Sequence, residues 1–157
     1  LSARLAEAGA ELLAGFLAEI GPESLPSGMR QDKARVTVCR RLRPEDGFLD
    51  WAASAEAIDR RVRAMSGWPW ARACLPDRTP LRVTAGRPFP DREHGAEAGR
   101  ILSLDDGLVV ACGTDAFRIE RLQRPGKREL PAAEFARGAR LGPGQRLLGG
   151  RPLEESE

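Results

Sequence analysis

The stretch I-L-S-L-D-D-G-L-V-V-A-C-G-T-D-A-F-R-I-E-R-L, Ile101 to Leu122, decides the fold class. Ile101–Leu104 and Leu108–Cys112 are apolar runs on either side of Asp105-Asp106-Gly107. An Asp-Gly pair favours a tight hairpin turn, so the two runs are expected to pair as antiparallel strands. Gly113-Thr114-Asp115 turns the chain again, into Phe117–Leu122, where Phe117 and Ile119 alternate with Arg118 and Glu120. A period of two marks a strand with one buried face. Upstream, Trp70–Leu75 and Leu81–Ala85 flank Pro76-Asp77-Arg78-Thr79-Pro80 as a second hairpin, and Phe89–Gly99 reads as a polar loop. Short, closely spaced strands with one helix inserted predict a mainly β fold, a small barrel.

Helical patterns surround this core. Leu5, Leu12, Leu13, Phe16, Leu17 and Ile20 fall largely on one face of a helix over Leu1–Ile20, ended by Gly21-Pro22. Such a stripe must pack on something outside its own segment. The chain starts with Leu1, inside this pattern, which suggests a piece of a longer protein. Ser54–Met65 is the inserted helix. Ser54 is its N-cap, Ala55, Ile58, Val62 and Met65 point inward, and Arg60, Arg61 and Arg63 point out. Pro131–Arg137 forms a short third helix, with proline tolerated in its first turn. The resulting organisation is a helix (1–21), a basic linker (22–43) with a short extended piece at Val36 and Val38, a barrel (44–150) and a frayed tail (151–157).

A net charge of +2 over 157 residues does not by itself demand a polyanion, but the distribution is uneven. Arg30–Arg43 holds six basic residues against Asp32, and Arg118–Arg128 holds five against Glu120. Clustered guanidinium groups suit phosphate, whose oxygens match the planar fork; the competing reading is a solvated charged face. No apolar run reaches the ~18–20 residues of a membrane span. Cys39, Cys74 and Cys112 are far apart and form no C-x-x-C, so they read as small buried apolar residues in a reducing compartment. One histidine, His94, in a polar loop leaves no zinc site.

The run R-P-E-D-G-F-L-D-W, Arg43–Trp51, looks at first like chemistry, because Glu45, Asp46 and Asp50 crowd together. Pro44-Glu45-Asp46-Gly47 is turn chemistry, however. Asp50 precedes the inserted helix, where a carboxylate meets helix-terminal amides or fixes the lead-in loop. Trp51, beside Phe48 and Leu49, belongs to the core; Trp68 is expected to pack where helix passes to strand, and Trp70 is the tryptophan with an exposed alternative.

Taken in order, these pieces resemble methionyl-tRNA formyltransferase, in its C-terminal domain. The resemblance is carried by Gln31, Glu45-Asp46-Gly47, Leu49-Asp50-Trp51, Val62-Arg63-Ala64, Trp68-Pro69 and Val110-Ala111-Cys112-Gly113. It continues through Leu122-Gln123, Pro125-Gly126-Lys127-Arg128, Glu134-Phe135 with Gly138, and Pro143-Gly144-Gln145-Arg146-Leu147. Departures are Arg40-Arg41 for Pro-Lys, Trp70 for the glycine after W-P, and Ala116 for the glycine of D-G.

The resemblance implies an OB-like β-barrel with an inserted α-helix, preceded by an N-terminal helix that ends a catalytic domain and by a linker. It implies a parent that transfers a formyl group from 10-formyltetrahydrofolate to the amine of initiator methionyl-tRNA in the cytoplasm. The family's Asn, His and Asp constellation lies in the N-terminal catalytic domain, a partner of this segment in the same chain, and His94 does not match its histidine. This segment is therefore expected to carry no catalytic residue, no metal and no cofactor of its own, and to be inactive alone. Its expected role is holding the tRNA, through Arg41 and Arg146 at the family's basic positions, with Arg40, Arg43, Lys127 and Arg128 as neighbours in charge. Two other readings stay open: the matching domain of an aminoarabinose-type sugar-nucleotide formyltransferase, whose R-R-x-P-E-D-G-x-I-D-W run Arg40–Trp51 also resembles, and a free-standing RNA-binding or scaffold barrel.

Overall fold

The computed structural model describes residues 2–21, 28–91, 94–105 and 107–150. Its contacts divide the chain into two compact units, Leu1–Arg40 and Arg41–Glu157. The expected frayed tail at 151–157, together with Pro22 and Asp106, falls outside the described residues.

In the first unit, α1 spans Ser2–Glu19 and buries none of its residues. Leu5, Leu12, Leu13, Phe16 and Leu17 all stand exposed, as an apolar stripe along the helix. Asp32 Oδ1 accepts the Ala34 N–H at 2.9 Å and starts a single 3₁₀ turn, Lys33–Arg35. Val36 leaves that turn with extended dihedrals (φ −69°, ψ 124°). The expected extended piece exists, but residues 36–43 pair with no strand and Val36 and Val38 are exposed. Cys39 corrects the sequence reading: it is exposed, because residues 36–43 lie outside every helix and strand and each of them is exposed.

The second unit opens with the 3₁₀ turn Pro44–Gly47. Asp46 Oδ2 accepts the Arg43 N–H at 2.7 Å and caps it. Gly47 is buried against the Trp70 carbonyl, where a Cβ would collide. The chain then runs beside β1 (Ala71–Cys74), with Leu49 N–H donating to Arg72 O at 2.8 Å. Asp50 Oδ1 accepts the Ala52 N–H at 3.0 Å, so it fixes the lead-in loop. Ser54 Oγ, not Asp50, caps α2 (Ala55–Ala64), accepting from Ala57 N–H at 3.3 Å. Ala55, Ile58 and Val62 are the buried face of α2.

The remaining strands are β2 (Pro80–Phe89), β3 (Ile101–Ser103), β4 (Leu108–Ala111), β5 (Ala116–Gln123) and β6 (Glu129–Pro131), followed by α3 (Ala132–Gly138). All pairings are antiparallel, in the order β1-β2-β5-β4-β3, with β6 on β5. Both expected hairpins are present. Two differences stand out: β2 runs four residues past Ala85, to Phe89, and β6 is an additional strand. Register shifts between Val83 and Gly86 bend β2, and Gly86 lets the Phe117 ring and Arg118 carbonyl come close where a side chain would not fit.

The sheet curls, and the 144–150 segment closes it. Gly144 N–H donates to Ile101 O and Ile101 N–H to Gln145 O, each at 2.8 Å, on the β3 side. Leu148 and Cys74 exchange N–H···O bonds of 2.8 and 2.9 Å on the β1 side. The result is an OB-like half-barrel, with α2 laid against β2 and β5 and α3 against β5 and β6. Its core holds Leu49, Trp51, Ile58, Leu81, Ile101, Leu108, Phe117, Ile119, Leu122 and Leu147, all at most 3% exposed. Trp51 thus packs as expected, whereas Trp68 is 54% exposed. The turn that leaves α2 directs Trp68 outward, because the Trp70 N–H folds back onto Met65 O at 2.9 Å.

Candidate nucleic-acid interface

The basic candidates of the second unit do not gather at one point. Arg40 closes the first unit; Arg41 and Arg43 begin the second. Arg43 leads straight into the turn that carries Glu45. Glu45 and Arg146 line one cleft of ≈ 440 Å³, with Asp50, Trp51 and Ala98. Arg146 reaches this cleft because Leu147 is buried and its strand-like neighbour must then point outward. Arg146 Nε donates to Ala98 O at 3.0 Å, which fixes the guanidinium plane. The cleft therefore mixes one guanidinium with two carboxylates, and its lining carries a formal net charge of −1 rather than a positive one.

Lys127 and Arg128 lie elsewhere, on the turn between β5 and β6. Gly126, at φ +70°, makes that turn, and Lys127 N–H donates to Arg124 O at 3.1 Å. A second cleft of ≈ 490 Å³ lies between this turn and α3, rimmed by Arg124, Lys127, Arg128 and Glu134 over Leu130 and Phe135. The Arg124 guanidinium sits 5.4 Å from the Phe135 ring centre, and Arg128 pairs with Glu134 at 3.3 Å. Asp77 also feels Arg124; its carboxyl lies below the usual range, chiefly through the Thr79 N–H it accepts at 2.9 Å.

The basic run 118–128 splits into two classes. Arg118 lies over the Phe89 ring at 4.6 Å, and Arg121 pairs with Glu129 at 2.6 Å. These two brace the sheet. Arg124, Lys127 and Arg128 stand at its end, exposed. Sequence reasoning counted Arg124 in the cluster without selecting it, and had no signal for Arg82. The Arg82 guanidinium lies 5.6 Å from the Trp70 ring, and Arg82 Nη1 donates to Gln123 Oε1 at 3.2 Å.

The remaining reactive side chains are structural. His94 uses both ring nitrogens, Nδ1 with the Ala96 N–H at 3.1 Å and Nε2 with Asp115 O at 3.0 Å, and so ties its loop to the β4–β5 turn. Burial pushes the Cys74 thiol up and the Cys112 thiol up to about 12. Among the described residues no three His, Cys, Asp or Glu side chains stand together as a metal site. No helix among them is long and apolar enough to cross a membrane.

The family described as formyl transferase, C-terminal domain, matches residues 41–140. A methionyl-tRNA formyltransferase of Gluconobacter oxydans is 39% identical over 145 residues, 92% of this chain and 45% of the relative. Its counterpart in Ralstonia nicotianae is 35% identical over 91% of this chain and 44% of the relative. That of Roseiflexus castenholzii is 42% identical over 76% of this chain and 38% of the relative. The chain thus spans less than half the length of these curated relatives. Among solved structures, HypX from Aquifex aeolicus in complex with tetrahydrofolic acid superposes with a TM-score of 0.59 at 18% identity, over 84% of this chain and 22% of that one. A multiply substituted HypX variant gives 0.62 at 18% identity, over 98% and 25%. At that identity the likeness concerns the fold.

Proposed function

The chain belongs to the family of formyl transferase C-terminal domains, and from that premise we propose that it is the tRNA-holding domain of a methionyl-tRNA formyltransferase. The observation that carries the proposal is the likeness to relatives of that name along nine-tenths of the chain, at 39% identity to the Gluconobacter protein. The basic residues at the start of the barrel, on its closing segment and on the β5–β6 turn supply the chemistry. Arg41 and Arg146 are the main phosphate ligands of this reading, with Arg40, Arg43, Lys127 and Arg128 beside them. Guanidinium groups neutralise phosphates and release counterions, so affinity falls steeply with salt.

In this reading the parent works in the cytoplasm, and formyl transfer from 10-formyltetrahydrofolate takes place on a catalytic domain N-terminal to the barrel. The barrel holds the methionyl-tRNA and does none of the chemistry.

A gel-shift titration with initiator tRNA at two salt concentrations tests the role. Binding that weakens with salt is expected, with a logarithmic slope of about −0.7 to −0.9 per phosphate neutralised. Salt-independent binding, or none, overturns the tRNA-holding role. The chain alone is expected to leave methionyl-tRNA unformylated when given 10-formyltetrahydrofolate; formylation by a pure sample overturns the division of labour.

A further inference from the structure

Trp70 holds a backbone φ of +72°, left-handed, a conformation that a bulky L-residue adopts at a cost and glycine adopts freely. Strained side chains of this kind gather where a ligand is clamped. The neighbour two residues back, Trp68, is 54% exposed. An unbroken path of contacts runs from Trp70 across the sheet. The Arg82 guanidinium lies over the Trp70 ring at 5.6 Å, Arg82 Nη1 donates to Gln123 Oε1 at 3.2 Å, and Gln123 Nε2 donates to Lys127 O at 2.8 Å. Lys127 then rims the ≈ 490 Å³ cleft with Arg124, Arg128 and Phe135. One ring and a run of cations follow this path: Trp70 under Arg82, then Lys127, then Arg124, which lies 5.4 Å from the buried Phe135 ring. Four cations stand against two nearby carboxylates, Glu134 on Arg128 and Asp77 beside Arg124.

Accessible indole rings at one end of a run of cations match an unpaired nucleic acid. Each base offers a π-face to stack and each phosphate a charge to neutralise. A duplex keeps its bases inside and would engage the cations alone. The excess of positive charge favours a polyanion over a protein partner. We propose that this face binds a single-stranded stretch of RNA, with a base against Trp70 and Trp68 and the adjoining phosphates on Arg82, Lys127 and Arg124. The proposal rests on the tRNA-holding reading and names the part of the RNA that this face takes, an unpaired segment.

The test titrates the full 157-residue chain with a single-stranded oligoribonucleotide of about ten nucleotides, within the usual site size, and with a duplex of equal length. The sequence has three tryptophans and no tyrosine, so emission reports these rings directly. Trp51 is buried and supplies a constant background. Saturable quenching by the single strand is expected, with little by the duplex. Trp70→Gly suits the local φ and keeps the fold; it is expected to weaken single-strand binding about tenfold. Lys127→Gln is expected to lower the salt slope by about one. The proposal is overturned if Trp70→Gly binds the oligonucleotide as tightly as the parent, or if single strand and duplex quench alike. Absence of any quenching overturns it too. A parallel gel shift with initiator tRNA separates the two readings. If tRNA binds and Trp70→Gly changes nothing, this face fails and the tRNA role stands. If the oligonucleotide binds through Trp70 while tRNA does not bind, the tRNA role fails and this face stands.

Discussion

Gly113 shows how a single missing methyl group positions the lead-in loop. Its N–H points at both Trp51 O and Ala53 O, 3.0 Å from each, and a Cβ there would collide with the Ala52 carbonyl. Gly113→Ala is expected to destabilise the barrel by about 2–3 kcal/mol, as overpacking does, read as a lower urea midpoint at unchanged m-value. Gly138, at the end of α3, meets nothing within 4 Å, so Gly138→Ala is expected to be neutral within about 0.5 kcal/mol. The cysteines divide in the same way. Cys39 is exposed and is expected to react with a thiol reagent in the native state, whereas Cys74 and Cys112 should react only after unfolding. Burial raises the Cys112 thiol from its ordinary 9.0 to about 12. The folded state therefore keeps a proton that the unfolded state gives up, and stability present below pH 9 is lost as pH rises towards 12. Thermal melts across that window should show a steeper decline for the parent than for Cys112→Ala. Sequence alone gave Trp51 correctly, since apolar neighbours flank it on one side. It erred on Cys39 and Trp68, because exposure depends on what the rest of the chain brings alongside, and neither residue's neighbours encode that. The W-P-G pattern did flag position 70; only the φ of +72° explains why glycine suits it.

At the scale of elements, patterns long enough to have a period were legible and shorter ones were not. The Asp-Gly hairpin, the alternating strand at Phe117 and the capped helix after Ser54 each show their own signal, and each is present. β6 has three residues, Glu129–Pro131, too few to alternate, and its existence follows from pairing with Arg121–Gln123. The closing segment is harder still. Its partners, Arg100 for Arg146 and Cys74 for Leu148, lie far away in the sequence. That segment joins the two free edges of the sheet, and Leu147 is its buried anchor at 0% exposure. Leu147→Ala is expected to cost about 2–4 kcal/mol. Hydrogen exchange gives the sharper reading. The amides of Cys74 and Ile101, which donate to Leu148 O and Gln145 O, should lose protection in this variant before those of β5 do. Equal loss throughout the sheet would mean that the segment is no separate closing element and that the barrel opens only as a whole.

For the whole molecule, charge was legible as a quantity but not as a site. Composition shows two basic clusters; the fold sets part of the second, 118–128, against its own acids and rings. Arg118 covers Phe89, Arg121 pairs with Glu129, and Arg128 with Glu134, and no sequence rule picks out which cations are so occupied. Within the barrel unit, two of the cations proposed for a polyanion sit in separate places, Arg146 beside the lead-in loop and Lys127 beside α3. Exposed pairs such as Arg128–Glu134 contribute only about 0–1 kcal/mol, so they do not withhold an arginine from a phosphate that approaches. Separation has a measurable consequence. If one RNA spans both places, Arg146→Gln and Lys127→Gln act on different phosphates and share no partner, so their effects on binding free energy should add. Each single variant should shallow the logarithmic salt slope by about one, and the double variant by about two. Melting temperatures should stay close to the parent's, because both side chains are exposed. A double variant no weaker than either single one would mean that only one of the two places meets RNA. The place whose substitution alone reproduces the loss would then be the interface, and the other a solvated surface.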